Sequence, residues 1–169
     1  EFDVEEDGHD RAFTGNTAFF REASLHRRVM HYAMDIFGSD PLRVLVLPGS
    51  IGCEALTISM ICDEIDPYRA VQIDTFDASH TYTKIANAAF YPGRMLERVP
   101  VKKHFKEMDD SNGQTWIKPT EEIRSRVNVL PACDVANFSA DNPYDVIFNL
   151  NLLYYLSARQ QAETLVQLA

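Results

Sequence analysis

The residues of this chain best suited to chemistry stand at the ends of apolar runs. In "VLVLPGSIGCEALTIS", residues 44–59, Gly49 and Gly52 lie three apart between two apolar segments. A strand that turns through glycine into a helix offers free backbone amides and lets a ligand approach the backbone closely. The turn is weaker than a GxGxxG fingerprint, and it is not a phosphate loop because no Gly-Lys-Ser/Thr follows. On this stretch alone, a ligand cradle and a tight structural turn are equally open. Asp77 ends the next run, "AVQIDTFD", 25 residues beyond Gly52. That is close to the ~20-residue spacing at which a carboxylate accepts hydrogen bonds from ribose hydroxyls. Asp74 alternates within the same run and reads as solvated. Asp134 closes "VNVLPACD", where it either meets an adenine edge or caps the turn that follows. Polar groups at three such ends fit an adenosine-containing ligand.

Other chemistries lack their residues. There is no Ser/His/Asp set, no HExxH pair and no paired-cysteine metal site, and the five histidines (9, 26, 31, 80 and 104) share no motif spacing. The histidines read as surface or helix-packing groups. Methyl transfer from a sulfonium donor is an in-line displacement that needs positioning more than acid or base, so it remains open. The three cysteines are scattered and mostly apolar in setting, which suggests neither a disulfide framework nor a metal site and favours the cytosol. A net charge of −9, with no basic cluster denser than "KKHFK" at 102–106, argues against duplex DNA or an anionic membrane as partner. No apolar segment approaches the ~20 residues that span a bilayer, and the acidic start is unlike a signal peptide.

Strands alternating with helices must position these groups. The spacing predicts a helix from Thr17 to Phe37, ended by "GSDP", then a buried strand 42–47 and a helix over 53–65. A second strand (70–77) and a helix over "HTYTKIANAAFY" follow. Residues 92–126 read as a long polar connection with a short helix around "VPVKKHFKEM". "VNVLPACD" and "YDVIFNLN" read as strands three and four, and "ARQQAETLVQLA" as a final helix. The expectation is an α/β fold with a doubly wound, mostly parallel sheet. An acidic N-terminal segment, poorly ordered over residues 1–15, and a lead-in helix (together 1–40) precede one globular unit, 41–169.

"TAFFRE" (17–22), the glycine turn, "TFDASHTYTKIANAAFY" and "YDVIFNLNLLYYL", in that order, resemble the S-adenosylmethionine-dependent protein-glutamate methyltransferases of bacterial chemotaxis, the CheR type. The family's corresponding segments look like Thr-x-Phe-Phe-Arg, Ser-Thr-Gly-Glu-Glu-Pro-Tyr-Ser, Asp-Ile-Asp and Phe-Asp-x-Ile-Phe-Cys-Arg-Asn-Val-x-Ile-Tyr-Phe. The resemblance implies a Rossmann-like class I methyltransferase sheet, incomplete on its C-terminal side, with S-adenosylmethionine as cofactor and a receptor-type protein as substrate. It implies that Gly49, Ser50, Gly52 and Glu54 hold the donor, that Asp77 takes the ribose and that Asp134 faces the adenine. Arg21 would sit by the donor and the reacting carboxylate, orienting it and offsetting its desolvation. Asn151 and Tyr155 would border donor and acceptor.

The pattern is also broken at defined places. Ile51 replaces Thr, Cys53 replaces one acid of the Glu pair, Ser79 stands where the second Asp would be, and Leu150 replaces the Arg of Cys-Arg-Asn. Each change removes a polar contact, so a catalytically degenerate module that binds the donor or its product, and a small-molecule methyltransferase on the same fold, stand as alternatives. Strand four would carry an uncovered apolar edge, through which a second copy could pair.

Overall fold

Continuous apolar sequence makes β1 (Leu42–Leu47) the centre of a parallel sheet, with every residue but Arg43 buried. The computed structural model describes residues 17–100 and 102–168, with the side chains of Arg98 and Tyr155 outside the described ones. The acidic opening stretch, expected to be poorly ordered, also lies outside the described residues. β1 pairs with β2 (Val71–Thr75) on one side and β7 (Val146–Asn149) on the other, and β2 pairs with β6 (Val127–Val129), all parallel. The order β6-β2-β1-β7 reverses at β1. Ligands of such sheets bind beyond the strands' carboxyl ends at this reversal. Among the described residues, β7 is an edge strand.

Helix α1 spans Ala23–Ile36 and α2 spans Cys53–Ile65. Residues 53–62 of α2 are all buried except Glu54, as expected of a helix packed on every side. The lead-in helix is shorter than its periodicity suggests. Residues 19–22 form turns, because Phe20 and Glu22 hold positive φ (58° and 54°) and break the helical path. Strands two, three and four are likewise shorter than expected, ending at Thr75, Val129 and Asn149. Helix α3 (His80–Ala88) stops at Ala89, a left-handed cap, so Phe90 and Tyr91 leave the helix predicted to contain them.

The largest correction concerns residues 92–126. They hold a three-stranded antiparallel sheet, ordered β3 (Tyr91–Pro92), β5 (Thr115–Pro119) and β4 (Phe105–Asp109). The helix expected around "VPVKKHFKEM" is only a 3-10 turn, Lys102–His104, that leads into β4. Asp110 builds the hairpin turn, accepting N–H bonds from Asn112 (2.8 Å) and Gln114 (2.9 Å) while Gly113 takes φ +76°. Those amides, Gln114 first, and the Trp116 indole hold the Asp110 carboxyl below its ordinary range. Phe105 and Tyr91 pack edge-on against Phe19, which ties the small sheet to the main core. Helix α4 (Glu121–Arg124) returns the chain to β6, and α5 (Ala158–Leu168) ends the described residues.

Candidate functional site

The glycine turn closes on the end of β2. Gly49 N–H donates to Phe76 O at 2.6 Å, and Gly52 N–H to Gly49 O at 2.9 Å. A Cβ at Gly49 would stand 2.5 Å from Thr75 Oγ1 and 2.9 Å from Phe76 O, so the close approach that glycine permits here is to the protein's own strand. Gly52, at φ +90°, is the N-cap of α2, a conformation that L side chains rarely adopt. Ser50 N–H donates to Asp77 Oδ2 and Ser79 N–H to Oδ1, both at 2.9 Å. A carboxylate offers about four lone-pair positions, so these two bonds leave room for two more donors. Ser79, in place of a second acid, caps α3 by accepting from Tyr82 N–H.

Two further strand ends meet this turn. Cys133 N–H donates to the Asp77 carbonyl (3.1 Å), bringing the exit of β6 beside it. Asp134 is exposed and accepts from Ala136 N–H at 2.9 Å, capping the 3-10 turn Val135–Asn137. At the end of β7, Leu150 N–H donates to Leu47 O (3.0 Å), which sets Asn151 just past the reversal point, exposed and at φ +64°. Tyr155 ends the 3-10 turn Leu153–Tyr155, and its side chain lies outside the described ones. Sequence reasoning missed Asn149. Both polar atoms of its amide are buried without a hydrogen-bond partner among the described residues. Its signal was a single amide inside an apolar strand, "VIFNL".

"TAFFRE" is anchored to α2. Phe19 is buried, Phe20 N–H donates to Thr57 Oγ1 at 3.0 Å, and that hydroxyl donates to Cys53 O at 2.8 Å. Arg21 is exposed between two left-handed residues. Phe20, Glu22, Ser50 and Asn151 are four of the five non-glycine residues with positive φ among those described, and all are expected site residues or flank one. The fifth, Ala89, caps α3. Such backbone costs about 1–3 kcal/mol per residue, less for Asn, and gathers where surrounding structure fixes a functional group. Glu54 lies in the first turn of α2, with its Oε1 3.3 Å from His26 Nε2. His26 shares a buried helical face with Met30 and Ala33, so helical phase was the signal that distinguished it from exposed His31 and His80.

Residues 15–169 match the family described as "CheR methyltransferase, SAM binding domain". The chain belongs to that family. It is also 27% identical over 174 residues to "Chemotaxis protein methyltransferase 1" of Pseudomonas aeruginosa PAO1, a match covering 94% of this chain. The chain spans 62% of that relative's length. The four-stranded parallel sheet is the Rossmann-like sheet expected of a CheR domain, and S-adenosylmethionine is the family's cofactor.

The residues present fit that group. Asp77 keeps two acceptor positions, as many as a ribose diol has hydroxyls, and the Asn149 amide is an unpaired donor and acceptor at the reversal point. The departures from the CheR pattern have physical content as well. Cys53 is fully buried, and burial pushes its thiol up to about 12, so the residue replacing an acid carries no charge near neutral pH. Leu150 packs against the hydrophobic core. Among the described residues, no helix is long and apolar enough to cross a membrane, and no cluster of His, Cys, Asp or Glu could hold a metal.

Proposed function

We propose that this CheR domain transfers the methyl group of S-adenosylmethionine to a side-chain carboxylate of a protein. When bound, the donor supplies an electrophilic methyl group for in-line displacement by a carboxylate oxygen. Asp77 accepts the ribose hydroxyls, the turn Gly49–Gly52 and Glu54 hold the methionine end, and Asp134 lies toward the adenine. Arg21 pairs with the acceptor carboxylate, holding it in line and offsetting the loss of its water. Asn151 and Tyr155 border the reacting groups. The observation that carries this reading is the presentation of Arg21, exposed on a turn fixed by two left-handed residues and tied to α2 through Thr57. The relative's name, a chemotaxis protein methyltransferase, points to receptor-type acceptors.

The test is transfer of label from methyl-labelled donor to candidate acceptor proteins, followed by mild alkali. A carboxyl methyl ester releases its label as methanol. Label that stays on the protein after alkali, or no label at all, rejects carboxylate methylation. A second reading is favoured by the uncharged Cys53 and the core-packed Leu150: a module that binds the donor or its product without turnover. It predicts measurable S-adenosylhomocysteine binding together with no transfer to any acceptor.

A further inference from the structure

His26 is fully buried on α1, between two elements of the donor site. Its ring meets Phe148 of β7 edge-on at 5.1 Å, and its Nε2 stands 3.3 Å from Glu54 Oε1 on α2. The approach is off the line of a hydrogen bond, so neither ring nitrogen has a hydrogen-bond partner among the described residues. Packing does not explain an imidazole here, because a phenyl ring would fill the same space against Phe148 with no polar atoms to bury. Buried polar atoms without partners are rare, and hydrogen bonds of functional groups are often long or misaligned until the ligand binds.

We propose that His26 is a positioning residue for the methyl donor. In the tautomer protonated on Nε2 it donates to Glu54 and fixes that carboxylate to receive the α-ammonium group of the donor's methionine end. The helix N-terminus favours the carboxylate's charge, while the neutral Cys53 leaves Glu54 as the one acid in this loop. An untethered Glu54 would have to be ordered on binding, at an entropic cost that His26 removes beforehand. The inference rests on the donor-site reading of Glu54 given above.

The experiment is calorimetric titration of the full chain with two probes. S-adenosylhomocysteine carries the ammonium group, and 5′-methylthioadenosine has the same nucleoside without the amino-acid end. His26→Phe is expected to weaken S-adenosylhomocysteine about tenfold, the worth of one charge-assisted hydrogen bond, and to leave methylthioadenosine within about twofold. His26→Gln, which can still donate toward Glu54, recovers most of the loss. His26→Asn keeps a polar group in place but is too short to reach, and it behaves like His26→Phe. Both probes bind only folded chain, so partial unfolding lowers the two alike and leaves their ratio unchanged. Equal losses for both probes, or no loss for S-adenosylhomocysteine, overturns the proposal and leaves the donor site standing. A wild-type chain that binds neither probe overturns the donor-site reading and this inference with it.

Discussion

Two carboxylates three residues apart in the β2 segment have opposite surroundings. Asp74 lies within the strand, 3% exposed, and four side chains donate to it: Gln72 and Asn128 to Oδ1, Tyr144 and Arg43 to Oδ2. That is one donor for each lone-pair position. Asp77 stands past the strand's end, and among the described residues two donors reach it, both backbone amides of neighbouring turns. A carboxylate saturated by its own protein holds segments together, whereas one with capacity left over can take a ligand. Position along the strand decides between them, because only beyond the last ladder hydrogen bond does the sheet open into a crevice.

Asp74→Ala should have the largest effect. It removes the acceptor shared by the half-exposed Arg43 guanidinium and Tyr144 hydroxyl and by the Asn128 amide, a loss of about 3 kcal/mol from several hydrogen bonds to one carboxylate. Urea denaturation measures it, and S-adenosylhomocysteine affinity per folded molecule should hardly change. Asp77→Ala should do the reverse. Two charge-assisted bonds to the ligand are lost, on the order of a hundredfold in affinity by calorimetry, while stability falls by about 1–2 kcal/mol because its two amide partners are only half-buried. If Asp77→Ala unfolds the chain and Asp74→Ala abolishes binding, the contrast is broken.

The same contrast separates what was readable in the sequence from what was not. β1 was recognised because both faces are buried, which leaves a continuous apolar run, and β2 because Val71 and Ile73 alternate with polar residues. The small antiparallel sheet escaped because β4 buries only Phe105, so "FKEMD" shows no alternation. The turn residues Asp110, Asn112 and Gly113 were its surviving signal. Asp77 was recognisable from its place at a strand end. Asp74 read as solvated, since the residues that bury it come from β1, β6 and the approach to β7, segments far away in the chain. The role of Gly49 was hidden for a similar reason, as its close contact is with Thr75 on another strand. Local pattern thus finds polar groups at strand ends, but not which of those groups the fold has already used.

A second cluster, in which His104 Nε2 and Glu64 Oε1 are buried without a hydrogen-bond partner among the described residues, tests whether structural charges behave alike away from β2. His104, at the base of the small sheet, has Nδ1 3.9 Å from Asp63 Oδ2 and Nε2 3.9 Å from Glu64 Oε1. Burial first, and then the charge of Lys103, lower its pKa from the ordinary 6.5, against the upward pull of Asp63 and Glu64. A depressed folded pKa contributes stability that is complete above 6.5 and is lost as the pH falls through the folded value. The urea midpoint should therefore drop between about pH 7.5 and pH 5.5, and His104→Asn should flatten that drop. Affinity for S-adenosylhomocysteine per folded molecule should follow neither change. If it tracks the titration, the small sheet is coupled to the donor site and the separation between structural and ligand-binding charges fails.

Tyr144→Phe should give the smallest effect and probes the Asp74 cluster directly. Burial, then the hydrogen bond and charge of Asp74, push the Tyr144 phenol up to about 12 from 10.0. The protonated form is favoured in the folded state, so this stability is present below pH 10 and is lost as the pH rises toward 12. Phenylalanine keeps the ring over which Arg43 stacks at 4.6 Å but removes the bond to Asp74. The variant should be about 1 kcal/mol less stable at neutral pH and should lose part of the alkaline decline. The rest of that decline remains, because burial also pushes the thiols of Cys53 and Cys62 up to about 12 and the Tyr91 phenol well above its ordinary value. Asp77→Ala touches none of these groups and should leave the alkaline limb as steep as in the wild type. An equal flattening by both variants would mean that the two carboxylates share one network, and that the strand's end does not divide them.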